Sequence, residues 1–289
     1  MSTKTGILQS KISIVITVYN HLNLLQKCFE SILQQTVLPY EVILSDDGSS
    51  DDPRTLLQEF RKKFAGKAHY VRQDHEDFRA ARVRNNGASV SSGDIIVFLD
   101  QDIVVPPLYL QSILEALKPG RFLSGYPVRL SQKQSGQLLA RELVGVDYKE
   151  IVTEAQYKKI CSQARKDFFY YFTASLRLPF CKGVKLRSGV SAMFKSDFER
   201  VNGFDESFVG WGNEDDNLGK RLRASGKVGY NFVKEHFPLH LYHEPYNARG
   251  ERRNKEHARK MAQRITGTSF YCEKGLDNSR QDLFVDMGD

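Results

Sequence analysis

The chain has 289 residues, 40% of them hydrophobic and 27% charged, with a formal net charge of +7. This length can bury one large core, and the composition is ordinary for a globular protein. No apolar run approaches the roughly 18–20 residues that a membrane-spanning helix needs, and the N-terminal sequence lacks the apolar core of a signal peptide. The four cysteines are scattered and form no Cys-x-x-Cys pair. This spacing argues against a structural zinc or a disulfide framework and favours a reducing cytoplasm.

The positive charge is concentrated near the C-terminus. Residues 249–264 contain seven basic and two acidic side chains, so this segment alone carries a net charge of +5. Such a segment can be a solvated helix face, a flap that binds phosphate, or a contact with anionic lipid head groups. None of the recognised nucleic-acid motifs appears, so we expect no nucleic-acid partner.

The first half of the chain alternates strand and helix signals. Strand patterns lie at residues 12–18, 41–45, 70–71 and 95–99. Helical patterns lie between them, at residues 25–33, 56–64 and 78–88. Strands that alternate with helices of this length indicate βαβ units and a mostly parallel sheet. We therefore predict an α/β fold.

The second half is less regular. Strand signals recur near residues 122–128 and 188–195, and a long mixed stretch separates them. This stretch contains the aromatic run Phe168-Phe169-Tyr170-Tyr171-Phe172, for which the sequence favours a core position over a membrane wedge. No linker isolates a separate fold.

Polar clusters follow three of the predicted strands. They are Thr17-Val18-Tyr19-Asn20, Ser45-Asp46-Asp47-Gly48 and Asp100-Gln101-Asp102. The carboxyl ends of parallel strands share one edge of the sheet, where ligands bind. Carboxylates there suit Mg²⁺ or Mn²⁺, ions that commonly bridge a substrate's phosphates. Arg82 and Arg84, on the intervening helix, could pair with phosphate oxygens.

A second block follows in residues 203–222. Glycines flank Trp211, an arrangement that suits a loop presenting an aromatic platform to a sugar ring. Asn213 is the expected N-cap of the next helix, so Glu214 and Asp215 would lie in its first turn at the positive end of the helix dipole. Ordinary acidic first-turn residues are the alternative interpretation. Leu218 and Leu222 share one helix face that can pack on the core.

Across residues 10–245 the order of these motifs resembles that of GT-A fold, family 2 inverting glycosyltransferases. The donor-site residues that this resemblance implies are Thr17, Tyr19, Asn20, Asp47, Arg84, Asp100 and Gly189. Among them, Thr17, Tyr19 and Asp47 would hold the uracil of a UDP-sugar. Arg84 would lie near the diphosphate, and Asp100 would face the ribose or the sugar. Asp102 would bind the metal.

The string Gly-Trp-Gly-x-Glu-Asp-Asp resembles the acceptor-side motif of beta-1,4-galactosyltransferases and of bacterial chondroitin polymerases. By this resemblance Asp215 is the general base, Glu214 assists catalysis by binding an acceptor hydroxyl, and Trp211 stacks on a sugar. His243 becomes the candidate metal ligand beside Asp102, with His240 competing for the role. Imidazole fits Mn²⁺ better than Mg²⁺.

The resemblance divides the chain into a GT-A domain at 1–245 and a basic extension or flap at 246–289. The domain would have a nucleotide-binding part at about 10–128 and an acceptor part at about 129–245. We expect Mn²⁺- or Mg²⁺-dependent inverting transfer of a hexose or N-acetylhexosamine from a UDP-sugar to a glycan or lipid-linked acceptor, in surface polysaccharide synthesis. The alternatives are a binding module without catalysis, a sugar-nucleotide pyrophosphorylase, and one subunit of a larger polymerising system. We expect a cytoplasmic protein, or one held at the inner face of the plasma membrane through 249–264.

Overall fold

The computed structural model describes residues 9–177, 183–233, 235–244, 254–278 and 283–288. Its strands are β1 (Ile12–Val18), β2 (Glu41–Asp46), β3 (Lys67–Arg72), β4 (Ile95–Asp100), β5 (Ile103–Val104), β6 (Arg121–Ser124), β7 (Val128–Arg129), β8 (Val190–Phe194), β9 (Val228–Tyr230), β10 (Leu239–His240) and β11 (Phe284–Asp286). Its helices are α1 (Leu22–Leu33), α2 (Arg54–Lys63), α3 (Ala80–Val90), α4 (Tyr109–Ala116), α5 (Gln132–Leu139), α6 (Tyr148–Ile151), α7 (Glu154–Ser175), α8 (Lys195–Arg200), α9 (Glu214–Ala224) and α10 (Lys255–Arg264).

An eight-stranded sheet in the order β11-β3-β2-β1-β4-β8-β6-β9 forms the centre of the fold. Strands β3, β2, β1 and β4 run parallel, as predicted for the first half of the chain. Their register sets Thr17 opposite both Ser45 and Asp100. The three polar clusters therefore meet at one edge of the sheet, which confirms the expected convergence.

Beyond β4 the sheet becomes mixed. Strand β8 pairs antiparallel with both β4 and β6, and β9 pairs parallel with β6. The fold is thus the predicted α/β class, but the parallel arrangement is confined mainly to the first half of the chain. The antiparallel β4–β8 pairing brings the residues before β8 next to the end of β4.

Both faces of the parallel strands are buried. Ile14 and Ile16 of β1 belong to one apolar cluster, whereas Val15 belongs to another on the opposite face. Leu218 and Leu222 of α9 lie in the second cluster, as their spacing predicted. Burial on both faces explains the continuous apolar runs of these strands.

A smaller sheet and its own apolar cluster support the irregular half. The sheet has three strands in the order β5-β10-β7, with β10 antiparallel to β5. Leu138, Tyr148, Ile160 and Leu239 are among the buried residues of this cluster. Strands β5 and β10 have two residues each, too few to produce a periodic sequence signal.

The C-terminal segment packs against the rest of the fold. Strand β11 pairs antiparallel with β3, and Asn202 donates a hydrogen bond to the carbonyl of Cys272 at 2.8 Å. Part of the predicted extension is therefore packed into the fold. The division of the chain at residue 245 stays a prediction, and residues 249–253 of the basic segment lie outside the described residues.

The aromatic run on α7 is not in the core. Phe168, Phe169 and Phe172 are exposed, so the expectation of a core position is wrong for them. Tyr171 does pack inward, with its ring 5.0 Å from that of Tyr230 on β9. Only one stripe of a helix that lies on an edge strand can be buried. Among the described helices, none combines the length and apolar composition that crossing a bilayer requires.

Candidate active site

Asp100, at the end of β4, is held by two donors. Thr17 Oγ1 donates to Asp100 Oδ1 at 2.7 Å, and Arg84 Nη2 donates to the same oxygen at 2.9 Å. Burial opposes ionisation, but the charge of Arg84 and these hydrogen bonds hold the pKa of Asp100 below its ordinary value. Asp100 is therefore a fixed, ionised carboxylate.

Arg84 joins the end of β4 to the start of α9. Its Nη1 donates to Glu214 Oε1 at 3.2 Å while its Nη2 bonds Asp100. The guanidinium is buried on α3, so it balances two carboxylates rather than extending into solvent. A direct contact between Arg84 and a diphosphate stays a prediction.

Gly189 lies against Asp100. A side chain at this position would place its Cβ 2.1 Å from Asp100 Oδ2, and the Gly189 carbonyl accepts from the backbone N–H of Asp100 at 3.3 Å. Any larger residue would displace the carboxylate. The glycine is thus required by the geometry of Asp100.

Asp47 and Tyr19 lie in one group of contacts beyond the ends of β1 and β2. Gln73 Nε2 donates to Asp47 Oδ1 at 2.5 Å, and the Asp47 carbonyl lies 2.9 Å from His75 Nδ1. The Tyr19 ring stacks on His75 with centroids 4.5 Å apart. Burial raises the pKa of Asp47, against the effect of the Gln73 hydrogen bond. Gln73 and His75 lie in the loop after β3, and the sequence did not predict them as site residues.

Asn20 connects the two loops at this edge. Its backbone adopts a left-handed conformation with φ 53°, which asparagine tolerates. Its Oδ1 accepts from the N–H of Ser50 at 2.9 Å, and its own N–H donates to Ser49 Oγ at 2.8 Å. These contacts fix the loop that follows β2. Nucleotide binding by Asn20 itself stays a prediction.

Asp46, the neighbour of Asp47, is buried and has a structural role, which the sequence alone could not distinguish from the role predicted for Asp47. Its Oδ2 accepts from the Tyr70 hydroxyl at 2.7 Å and its Oδ1 from Ser49 Oγ at 2.6 Å.

Gln101, between the two acids of the Asp-x-Asp motif, also has a structural role. Its amide accepts from the N–H of Tyr19 at 3.2 Å and donates to the carbonyl of Tyr19 at 2.9 Å.

Asp102 lies with two histidines. Its Oδ2 is 2.8 Å from His243 Nε2 and 3.4 Å from His240 Nε2. One ligand atom from each of the three residues lies within 4.8 Å of the others. The pairing of β10 with β5 produces this arrangement, because it sets His240 opposite Ile103. The structure thus brings together both histidines that the sequence left in competition.

The residues at this cluster fit a divalent metal ion. Nδ1 of His240 and Nδ1 of His243 each lie 2.9 Å from a backbone carbonyl, so each Nε2 is turned toward Asp102, as in metal-binding histidines. Asp102 Oδ1 is buried and has no hydrogen-bond partner among the described residues. The hydrogen bond that His243 donates to the Asp102 carboxylate raises the pKa of His243, so a proton and a metal ion would compete for this pair. Two imidazoles and a carboxylate suit Mn²⁺ better than Mg²⁺.

The first turn of α9 holds three consecutive carboxylates. Burial and the charges of Glu214 and Asp216 raise the pKa of Asp215 to about 7. Glu214 is neutralised by Arg84 and Asp216 Oδ2 lies 3.0 Å from Lys185 Nζ. Asp215 can therefore accept and release a proton near neutral pH.

The loop before α9 has an unusual backbone. Gly210, Gly212 and Asn213 all have positive φ, at 84°, 98° and 76°. Asn213 does precede the helix, but its side chain makes no capping hydrogen bond, so the expected cap is absent. Trp211, between the glycines, is 40% exposed.

Asn254 holds this loop from the C-terminal segment. Its Nδ2 donates to the carbonyls of Gly210 and Gly212 at 3.1 and 3.0 Å. Both carbonyls flank Trp211, and Asn254 is buried. The sequence contained no signal for this contact, because the partners are more than forty residues apart.

Two families match successive parts of the chain. The family described as Glycosyl transferase family 2 matches residues 13–185. The chain belongs to this family. The family described as the N-terminal domain of galactosyltransferase matches residues 178–244 of the glycosyltransferase, the part that contains Trp211 and Asp215. The resemblance inferred from the motifs is therefore confirmed.

Curated relatives of the glycosyltransferase are longer proteins. Validoxylamine A glucosyltransferase of Streptomyces hygroscopicus subsp. limoneus is 28% identical over 253 residues, which cover 81% of this chain and 52% of the relative. Chondroitin synthase of Escherichia coli is 29% identical over 229 residues, which cover 74% of this chain and 32% of the relative. The chain thus matches about half or less of the length of these relatives.

Solved structures share its fold. Mannosyltransferase PcManGT from Pyrobaculum calidifontis, in complex with GDP-Man and Mn²⁺, aligns with a TM-score of 0.54 at 14% identity, covering 84% of this chain and 64% of that chain. S. aureus TarS 1-349 in complex with UDP-GlcNAc aligns with a TM-score of 0.53 at 14% identity, covering 81% and 59%. The glycosyltransferase therefore has the mixed α/β GT-A fold.

Proposed function

We propose that this glycosyltransferase is metal-dependent and inverting, and that it moves a hexose or N-acetylhexosamine from a UDP-sugar to a glycan or lipid-linked saccharide acceptor in surface polysaccharide synthesis. One observation carries the proposal. Arg84 bonds Asp100 at the end of β4, on the predicted donor edge, and Glu214 at the start of α9. Residues predicted for the donor and for the acceptor therefore share one partner, and we call the region between them the crevice.

In this proposal the donor edge binds the nucleotide. Asp47 accepts the imide N–H of the uracil, and the Tyr19–His75 stack provides an aromatic surface beside the base. Asp100 faces the ribose or the sugar, next to Gly189. A UDP-sugar as donor is supported by TarS, whose structure contains UDP-GlcNAc. Because the PcManGT structure contains GDP-Man, a donor that carries guanosine is the alternative to test against a UDP-sugar.

Asp102, His240 and His243 would hold Mn²⁺. The ion, when bound, would supply positive charge to the departing diphosphate. The protein's own contribution is to keep both imidazoles oriented through their Nδ1 hydrogen bonds and to keep the Asp102 carboxylate close to both Nε2 atoms.

Asp215 would act as the general base. It takes the proton from an acceptor hydroxyl as that oxygen forms a bond to the anomeric carbon, on the face opposite the bond that breaks to the diphosphate. A single base with a pKa of about 7 suffices for this direct displacement. Glu214 would bind the acceptor hydroxyl, and the exposed ring of Trp211 would stack on a sugar.

A donor screen tests the proposal. The shift in melting temperature with UDP-, GDP- and dTDP-sugars is measured with Mn²⁺ and with EDTA, followed by UDP release for each donor that binds. We expect stabilisation by a UDP-hexose or UDP-N-acetylhexosamine only with Mn²⁺, and slow UDP release that an acceptor accelerates. Absence of both binding and release with every UDP-sugar would refute it, and stabilisation by GDP-mannose alone would refute the UDP assignment.

A further inference from the structure

Large apolar side chains project from the C-terminal half of α7 and from Leu176, the residue that caps its C-terminal end. Phe168, Phe169, Phe172 and Leu176 expose 61, 62, 53 and 56% of their surfaces. Single exposed apolar residues are common, but four large ones close together mark an interaction site. This patch lies outside the residues assigned to transfer.

Helix geometry aligns much of this patch on the side of α7 that faces away from the protein. Phe169, Phe172 and Leu176 are separated by three and four residues, so they form one stripe. The buried residues of the helix, Ile160 and Asp167, lie on the opposite side.

Cations accompany the apolar stripe. The exposed basic residues of α7 and its C-terminal end are Lys158, Lys159, Arg165, Lys166 and Arg177. The two acids of α7 do not balance them. Glu154 lies 2.7 Å from Lys158, and the buried Asp167 pairs with Arg187 at 3.4 Å. The outer side of α7 therefore has aromatic and cationic residues with little counter-charge.

We propose that α7 binds the surface of an anionic lipid bilayer, with its phenylalanines inserted at the boundary between head groups and acyl chains and its cations on the head groups. This pairing of apolar and basic residues is typical of interfacial helices. Phenylalanine has no hydrogen-bonding group to orient a glycan. A second copy of α7 would offer only Glu154 as an exposed counter-charge.

The helix is connected to the donor side of the crevice. Asp167 accepts from Asn231 at 2.8 Å, and Arg187, its ionic partner, donates to the carbonyl of Gly125 at 3.0 Å. Arg187 lies two residues before Gly189. Lipid binding through α7 would thus hold the crevice near the bilayer, where a lipid-linked acceptor is found. This consequence rests on the proposed function, whereas lipid binding itself does not.

Vesicle flotation tests the proposal with the full chain. We expect flotation with phosphatidylcholine vesicles that contain phosphatidylglycerol, and little with phosphatidylcholine alone. The double variant Phe169→Ser/Phe172→Ser should reduce the bound fraction roughly tenfold, and Arg165→Gln/Lys166→Gln should reduce it most at low salt, where the charges are least screened. The matched control is Lys260→Gln/Arg264→Gln on the cationic helix α10, which should float as the parent does.

A fluorescence measurement checks insertion directly. The chain has a single tryptophan, so Phe169→Trp in a Trp211→Phe background places the only indole on the stripe. We expect its emission to shift to the blue on adding anionic vesicles, and the melting temperatures of all variants to match the parent.

Three outcomes would overturn the proposal. The first is no flotation with anionic vesicles. The second is flotation that the phenylalanine variant retains and the α10 variant loses, which would assign lipid binding to α10. The third is a dimer that the phenylalanine substitutions dissociate, without vesicle binding. UDP release without vesicles reports separately on the proposed function, because it does not require the α7 surface.

Discussion

On the two sides of the crevice, the pKa values of two carboxylates are shifted in opposite directions. At the donor edge, hydrogen bonds and the charge of Arg84 overcome burial and lower the pKa of Asp100. At the start of α9, burial and neighbouring acids raise the pKa of Asp215 to about 7. A carboxylate that stays ionised suits binding, whereas one that titrates near neutrality suits proton transfer.

The position of the cations produces this difference. Arg84 pairs with Asp100 and Glu214, and Lys185 pairs with Asp216, so three of the four carboxylates have a partner. The contacts of Asp215 include a backbone N–H at 2.7 Å, that of Asp216. Charge compensation, not residue type, therefore separates the predicted base from its neighbours.

The largest effect is expected from Asp215→Asn. Because the amide cannot accept the acceptor's proton, kcat should fall about 10²–10⁴-fold. The measurement is the initial rate of UDP release with donor and acceptor at saturation. A loss smaller than tenfold would contradict the assignment of Asp215 as the base.

The pH dependence of the stability of the same variant provides a control. The folded-state pKa of Asp215, about 7, lies above the ordinary value of 3.8, so ionisation costs native stability as pH rises from about 4 to 7. Asp215→Asn should therefore be more stable than the parent at pH 8, on the order of 1 kcal/mol, and no more stable at pH 4. Thermal unfolding at both pH values excludes misfolding as the cause of lost activity.

Histidine substitutions test the metal on the donor side. Replacing either His240 or His243 by Ala should weaken UDP binding in Mn²⁺ roughly 10–100-fold and change it little in EDTA. His257→Ala is the matched control, since that ring packs on Phe208 at 4.7 Å and contacts Ser207. If only the His243 substitution weakened UDP binding in Mn²⁺, His240 would not be a metal ligand.

Asn254→Ala should affect the acceptor side selectively. Without its amide, the carbonyls of Gly210 and Gly212 lose their shared donor and the Trp211 loop becomes less ordered. We expect the acceptor KM to rise several-fold while the donor KM stays unchanged. Asn254→Asp should behave alike, because a carboxylate cannot donate to the two carbonyls. Equal increases in both KM values would contradict a role confined to the Trp211 loop.

The pH dependence of kcat gives the smallest effect. Since a base acts when deprotonated, kcat should rise with pH through about 7. Asp216→Asn removes a negative charge and should move this limb to lower pH. Lys185→Gln removes a positive charge and should move it to higher pH. Shifts in the same direction would show that another group controls the limb.

The parallel strands and their common edge could be predicted because buried strands leave continuous apolar runs. The partners of the site residues could not. His240 joins Asp102 through strands of two residues each, and Asn254 reaches the Trp211 loop from a distant segment. Nothing in Asp46-Asp47 distinguishes the buried structural acid from the predicted uracil ligand.

For the aromatic run of α7, the sequence predicted burial that the structure does not show. Its hydrophobic residues predicted burial, but which stripe of a helix packs inward depends on the neighbouring surface. Here Tyr171 meets Tyr230 of an edge strand, and Phe169 and Phe172 are left outside.

The separation of the two sides is tested most directly by calorimetric titration of UDP with Mn²⁺ into Asp215→Asn and Asp102→Ala. We expect Asp215→Asn to bind UDP as the parent does, and Asp102→Ala to bind it no better than the parent does in EDTA. Equal loss of UDP binding in both variants would contradict the division into a metal-binding donor edge and a proton-accepting acceptor edge.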